Sequence, residues 1–69
     1  MDLRRLLGQN VRRIREGAGL SQEQLAFEAG LHRTYVSGVE RGVRNPTILI
    51  VERLAKTLKV PPDELLKRG

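Results

Sequence analysis

The stretch from Ser21 to Gly42, SQEQLAFEAGLHRTYVSGVERG, constrains the fold of this chain more than any other. It opens on Ser21 with Gln24 three residues later, a spacing at which each side chain satisfies an unpaired backbone N–H of the other residue. Leu25, Ala26 and Ala29 then share one helical face, and Gly30 supplies a stop. One or two residues later Val36 and Val39, three apart, restart the pattern, which Gly42 closes. Two helices of about eight residues joined by so tight a turn meet at a steep angle, as a helix-turn-helix. The small side chain of Ala26 lets the second lie close across the first.

The flanks are helical as well, and strict alternation is found nowhere. Leu3, Leu7, Val11 and Ile14 step by four or three and, with Ala18, predict one buried stripe ended by Gly19. Gly8 and Gly17 each weaken that helix by up to about 1 kcal/mol, which marks its first and last turns as fraying points. Pro46 excludes Asn45 from helical geometry, and Thr47 is a good N-cap for a helix from Ile48 to Leu58. In VPPDELLKRG, Pro62 suits a first turn, Asp63 and Glu64 favour its positive end, and Leu65 and Leu66 are available to pack. The expected fold is all-α: a compact five-helix bundle in one domain, residues 1–69, with helices at about 3–18, 22–29, 33–41, 48–58 and 62–67.

Composition removes several classes of function. A chain of 69 residues buries only about 60% of its unfolded surface, so its core is small and a closed catalytic pocket has little room. No paired carboxylates, Ser–His–Asp arrangement or phosphate-cradling glycine loop is present, and an enzyme is not expected. Zero cysteines and a single histidine exclude a disulfide framework and the usual metal sites, so no cofactor or metal is expected. No apolar run approaches a membrane span and no signal peptide is evident, which makes the cytoplasm the expected location. The net charge of +5 favours a polyanionic partner. Phe27 and Tyr35 are the only aromatic residues, too few rings for a module that stacks unpaired bases.

LSQEQLAFEAGLHRTYVSGVERG, followed by RNPT and a helix of the LAKTLKV type, resembles the phage-repressor and Cro-type helix-turn-helix domains, also called xenobiotic-response-element regulators. The resemblance runs from about Leu7 to Leu66 and implies a lambda-repressor-like DNA-binding domain. LHRTYVSGVERGVRN is more narrowly similar to the small controller proteins of restriction–modification systems. In such proteins the third helix enters the major groove of double-stranded DNA. The face left after Val36 and Val39 turn inward is Arg33, Thr34, Ser37 and Gly38, with Tyr35 on its flank. Arg33 can donate two parallel hydrogen bonds to guanine, and Thr34 can offer its hydroxyl or methyl. Ser37 lies one turn on, and Gly38, without a side chain, is read as a point of close approach to DNA. Ser21 and Gln22 at the start of the second helix, with Arg41, Arg44 and Asn45 after the third, are expected on phosphates. His32 occupies a position usually held by a Ser or Thr cap; as a poor cap it is left to a phosphate or to solvent. The resemblance further implies an ion pair between Arg15 and Glu40 that locks the third helix to the first.

One reading helix covers only four or five base pairs, so the expected state is a homodimer on a palindromic operator. Ile48, Val51, Leu54, Ala55 and Leu58 suffice for the core side of the fourth helix. Leu49 then points nearly opposite with Ile50 at the edge, a pattern that predicts a dimer interface extended by Leu65 and Leu66. The implied function is a sequence-specific transcriptional regulator, with RNA polymerase a candidate further partner and no small-molecule effector expected. A protein-interaction module, such as an antitoxin or an adaptor, is the alternative that the same fold allows. Phe27 acquires no role from the sequence.

Overall fold

The computed structural model describes residues 2–68. Four α-helices, α1 (Leu3–Gly17), α2 (Gln22–Ala29), α3 (Arg33–Glu40) and α4 (Ile48–Leu58), are followed by a short 3₁₀ helix, Pro62–Leu66. All described residues outside these helices lie in turns or irregular connections. The final element was expected as α-helix. It is five residues long and tighter, as short pieces of 3₁₀ helix are.

Local chemistry accounts for the ends of these helices. Asp2 caps α1, its carboxylate accepting from the Arg4 backbone N–H. Ser21 Oγ accepts from Gln24 N at 3.0 Å while Gln24 Oε1 accepts from Ser21 N at 2.8 Å, so both halves of the expected capping box are present. Thr47 caps α4 through Ile50 N. α2 ends on Gly30 in the left-handed region, at φ 70°.

α1 packs against α3 and the 3₁₀ helix, and α2 lies between α3 and α4. Leu7, Val11, Leu25, Ala26, Ala29, Val36, Val39, Leu54, Ala55, Leu58 and Leu65 form one continuous core. Four expectations about this core change. Leu65 is fully buried, because neighbouring side chains on a 3₁₀ helix point about 120° apart and only Leu66 is left to face outward. Leu3 and Ile48 are exposed: each is the first residue of its helix and lies ahead of the packed region. Ala18 follows the last residue of α1 and is exposed too. Leu6, which was not assigned to the stripe, is buried.

Gly8 also departs from expectation. It is buried rather than frayed, and a Cβ there would meet the Val39 carbonyl oxygen and stand 2.7 Å from that of Glu40. Glycine lets the backbones of α1 and α3 touch. It lies in phase with Val11 and Arg15 on the inward stripe, the sequence signal for such an approach.

Candidate nucleic-acid interface

α3 is held from behind by charge as well as by packing. Arg15 Nε donates to Glu40 Oε2 at 2.6 Å and Nη2 to Glu40 Oε1 at 3.0 Å, a two-pronged pair. Arg15 Nη1 also donates to the Leu20 carbonyl at 2.8 Å. Gln22 Nε2 donates to Glu40 Oε1 at 3.0 Å. One carboxylate at the end of α3 thus ties together α1, the α1–α2 turn and the start of α2. The side chains of Arg15 and Glu40 are only 10% and 3% exposed, so the pair is shielded from solvent. Glu40 holds the Arg15 guanidinium charged, raising its pKa against the opposing effect of burial.

With its rear fixed, α3 presents Arg33 and Thr34 to solvent, Ser37 half-buried one turn on, and Tyr35 half-buried against the core. Arg33, Arg41 and Arg44 make no ion pair among the described residues and are free to meet an anion. Arg41 and Asn45 are exposed beside α3.

His32 is the N-cap of α3 after all. Its Nδ1 accepts from Thr34 N at 3.5 Å, a long contact, and lies 2.9 Å from Thr34 Oγ1. For Nδ1 to accept, the ring proton sits on Nε2, which leaves a donor facing outward. Thr34 is therefore oriented by its neighbour before any ligand arrives. Ser21 and Gln22 stand at the start of α2, but both are already engaged, Ser21 in the capping box and Gln22 on Glu40. Each keeps one side-chain hydrogen for an outside acceptor.

Gly38 is not an open point of approach. The Arg44 side chain folds back over it: a Cβ on Gly38 would stand 2.8 Å from Arg44 Cγ and 3.0 Å from Nε. The guanidinium carbon lies 5.4 Å from the centre of the Tyr35 ring, within cation–π range. The α3–α4 connection thus lays a basic side chain over Gly38, the position at which α3 carries no side chain of its own. Tyr35, Gly38 and Arg44 were each singled out in the sequence, but their mutual contact depends on how residues 41–47 fold back, which no periodicity encodes.

The surface expected to pair two copies is partly rearranged. Leu49 is 70% and Leu66 44% exposed. Ile50 is half-buried against the core, because it stands one turn before Leu54 on the same face. Leu65 is core and takes no part. Leu3 and Ile48, 57% and 83% exposed, border a shallow apolar groove with Leu7, Pro46, Val51 and Leu66. Phe27 is 86% exposed on α2. No described helix is long and apolar enough to cross a membrane.

Comparison with known proteins agrees with this geometry. The Helix-turn-helix family model matches residues 11–65. The control protein C.BamHI of Bacillus amyloliquefaciens is 50% identical over 66 residues, which cover 94% of this chain and 82% of that protein. The restriction–modification controller protein C.AhdI from Aeromonas hydrophila superposes with a TM-score of 0.87 at 48% identity, covering 90% of this chain and 94% of that one. The biofilm regulator SinR of Bacillus subtilis, solved in complex with DNA, superposes with a TM-score of 0.83 at 34% identity, covering 88% of this chain and 98% of that one.

Proposed function

The chain belongs to the helix-turn-helix family, and on that premise we propose that it is a sequence-specific DNA-binding transcriptional regulator of the restriction–modification controller type. The observation that carries the reading is the solvent-facing start of α3, where Arg33 has no acidic partner among the described residues while Arg15, Glu40 and Gln22 hold the helix rigid from behind. A cation poised on a fixed helix suits two parallel bonds to guanine O6 and N7 in the major groove. Thr34, oriented by His32, and Ser37 complete the reading face. Ser21, Gln22, the outward Nε2 of His32, Arg41 and Asn45 lie where phosphates would pass on either side. Arg44 lies over α3 and belongs with the reading face rather than with the phosphate contacts.

α3 is eight residues, about 12 Å, and so reads only four or five base pairs. Two copies on a palindrome double the readout. The exposed Leu3, Ile48, Leu49 and Leu66 supply an apolar surface for that pairing. Occupancy over a promoter blocks RNA polymerase, and occupancy just upstream recruits it. Residues 2–68 act together as one DNA-binding domain, in the cytoplasm.

Selection of bound duplexes from a random pool tests this directly. The expected product is a palindrome with half-sites about one helical turn apart. Arg33→Ala then loses about 1–3 kcal/mol on that site and little on unrelated DNA. A uniform loss on all sequences moves Arg33 to the phosphate class, and no enriched motif from folded protein ends the reading. Ile48→Glu with Leu49→Glu should sediment as a monomer, and persistence of dimers puts the interface elsewhere.

A further inference from the structure

Asn10 is 7% exposed in the middle of α1, where an amide is costly unless its hydrogen bonds are made. They are made far along the chain. Asn10 Nδ2 donates to the Leu65 carbonyl and to the Lys67 carbonyl, each at 2.9 Å. Its Oδ1 accepts from Arg13 Nη2 at 3.3 Å. The two carbonyls belong to the residues on either side of Leu66. One side chain therefore holds the 65–66 peptide unit directly before Leu66 and the 67–68 unit one residue beyond it, where the 3₁₀ helix ends.

The core does not need this clamp to anchor the segment, because Leu65 is already buried there at 0% exposure. What the clamp adds is direction. With the backbone turned by Leu65 inward and held by Asn10 at both flanks, Leu66 projects onto the groove that Leu3 and Ile48 border. A leucine whose backbone was free to rotate would lose entropy on association.

We propose that Asn10 is a positioning residue for self-association: it presents Leu66, in a preset direction, to a second copy of this chain. The inference rests on the homodimer reading above. Pairing then carries no ordering cost for the segment around Leu66, and dimer affinity depends on an α1 residue that does not itself reach the partner.

The test is a double-mutant cycle on the dimer dissociation constant, measured by sedimentation well below the unfolding temperature. The variants are Asn10→Ala, Leu66→Ala and both together. Alanine is the better helix former, so α1 is not weakened locally. Asn10→Ala is expected to loosen the dimer about tenfold, and in the Leu66→Ala background to loosen it no further. A purely structural role would lower the unfolding temperature and leave the dissociation constant of the folded protein unchanged. Unchanged dimerisation of Asn10→Ala, losses that multiply, or a Leu66→Ala variant that pairs like the parent each overturn the proposal. If Asn10→Ala does not fold, Asn10→Ser, which keeps one donor, decides by the same readout with an intermediate loss expected. Failure of both to fold makes Asn10 a residue of the fold alone and overturns the proposal. A parent protein that stays monomeric, with or without its selected operator, instead removes the homodimer reading on which this rests.

Discussion

Gly38→Ala separates what α3 does for stability from what it does for DNA. In the free protein the substitution gains about 1 kcal/mol of helix propensity. The new Cβ would stand 2.8 Å from Arg44 Cγ, whereas carbon atoms settle at about 3.5–4.0 Å, so the Arg44 side chain must retreat by about 1 Å. That retreat weakens its contact with the Tyr35 ring, worth about 0.5–1 kcal/mol at an exposed site. The two changes nearly cancel, and thermal unfolding should stay within about 4 °C of the parent. Binding should not be spared. A displaced guanidinium loses its aligned contact with the duplex, and affinity for the selected operator should fall by about 1–2 kcal/mol, or about 5- to 30-fold. Fluorescence anisotropy with a labelled operator at one fixed salt concentration measures this. The cycle partner is Arg44→Ala. If Gly38 matters through Arg44, Gly38→Ala costs nothing further in that background. Full affinity in the single variant, or the same loss with and without Arg44, refutes the argument.

Other outcomes follow from the same geometry. Glu40→Ala strands the shielded Arg15 guanidinium and should cost about 3 kcal/mol in chemical denaturation, far above the value of an exposed pair; a loss below about 1 kcal/mol contradicts the burial argument. Lys59 closes α4 in the left-handed region at φ 61°, so Lys59→Gly should stabilise the protein by about 0.5–1 kcal/mol, seen as a higher melting temperature; an unchanged or lower one removes the claim of backbone strain. The Asp2 carboxyl, held down to about 2 first by its side-chain hydrogen bond to Arg4 and then by the Arg4 backbone N–H, should titrate near that value by NMR. Because the folded pKa is the lower one, the Asp2 contribution to stability is present above the ordinary value of 3.8 and disappears as the pH falls towards about 2; a midpoint near 3.8 shows that the cap does not form.

Much of this protein is legible along the chain because its signals are local. Caps at Ser21 and Thr47, glycine at the α2–α3 turn and the three- and four-residue apolar steps are decided within one or two helical turns, and all appear where expected. They sufficed to define a helix-turn-helix and to select Arg33 and Thr34 as its outward residues. The expectations that changed concern places where two segments meet. Leu3 and Ile48 have core-like periodicity but stand beyond the neighbours that would cover them. Leu65 and Leu66 look alike in sequence and were assigned to the same surface, yet the 3₁₀ turn sends one inward and one outward. His32, a poor cap by residue type, caps α3 with the help of Thr34.

Periodicity along the chain, by itself, determined four of the helices and the face each turns inward, since hydrogen bonds and burial within a helix depend on residues three and four apart. Tertiary structure alone decided which small or polar residues on those faces became contacts. Gly8 against α3, Gly38 beneath Arg44 and Asn10 on the carbonyls around Leu66 each join residues from separate elements. Their partners are set by how the helices pack, and no local rule relates residue 10 to residues 65 and 67.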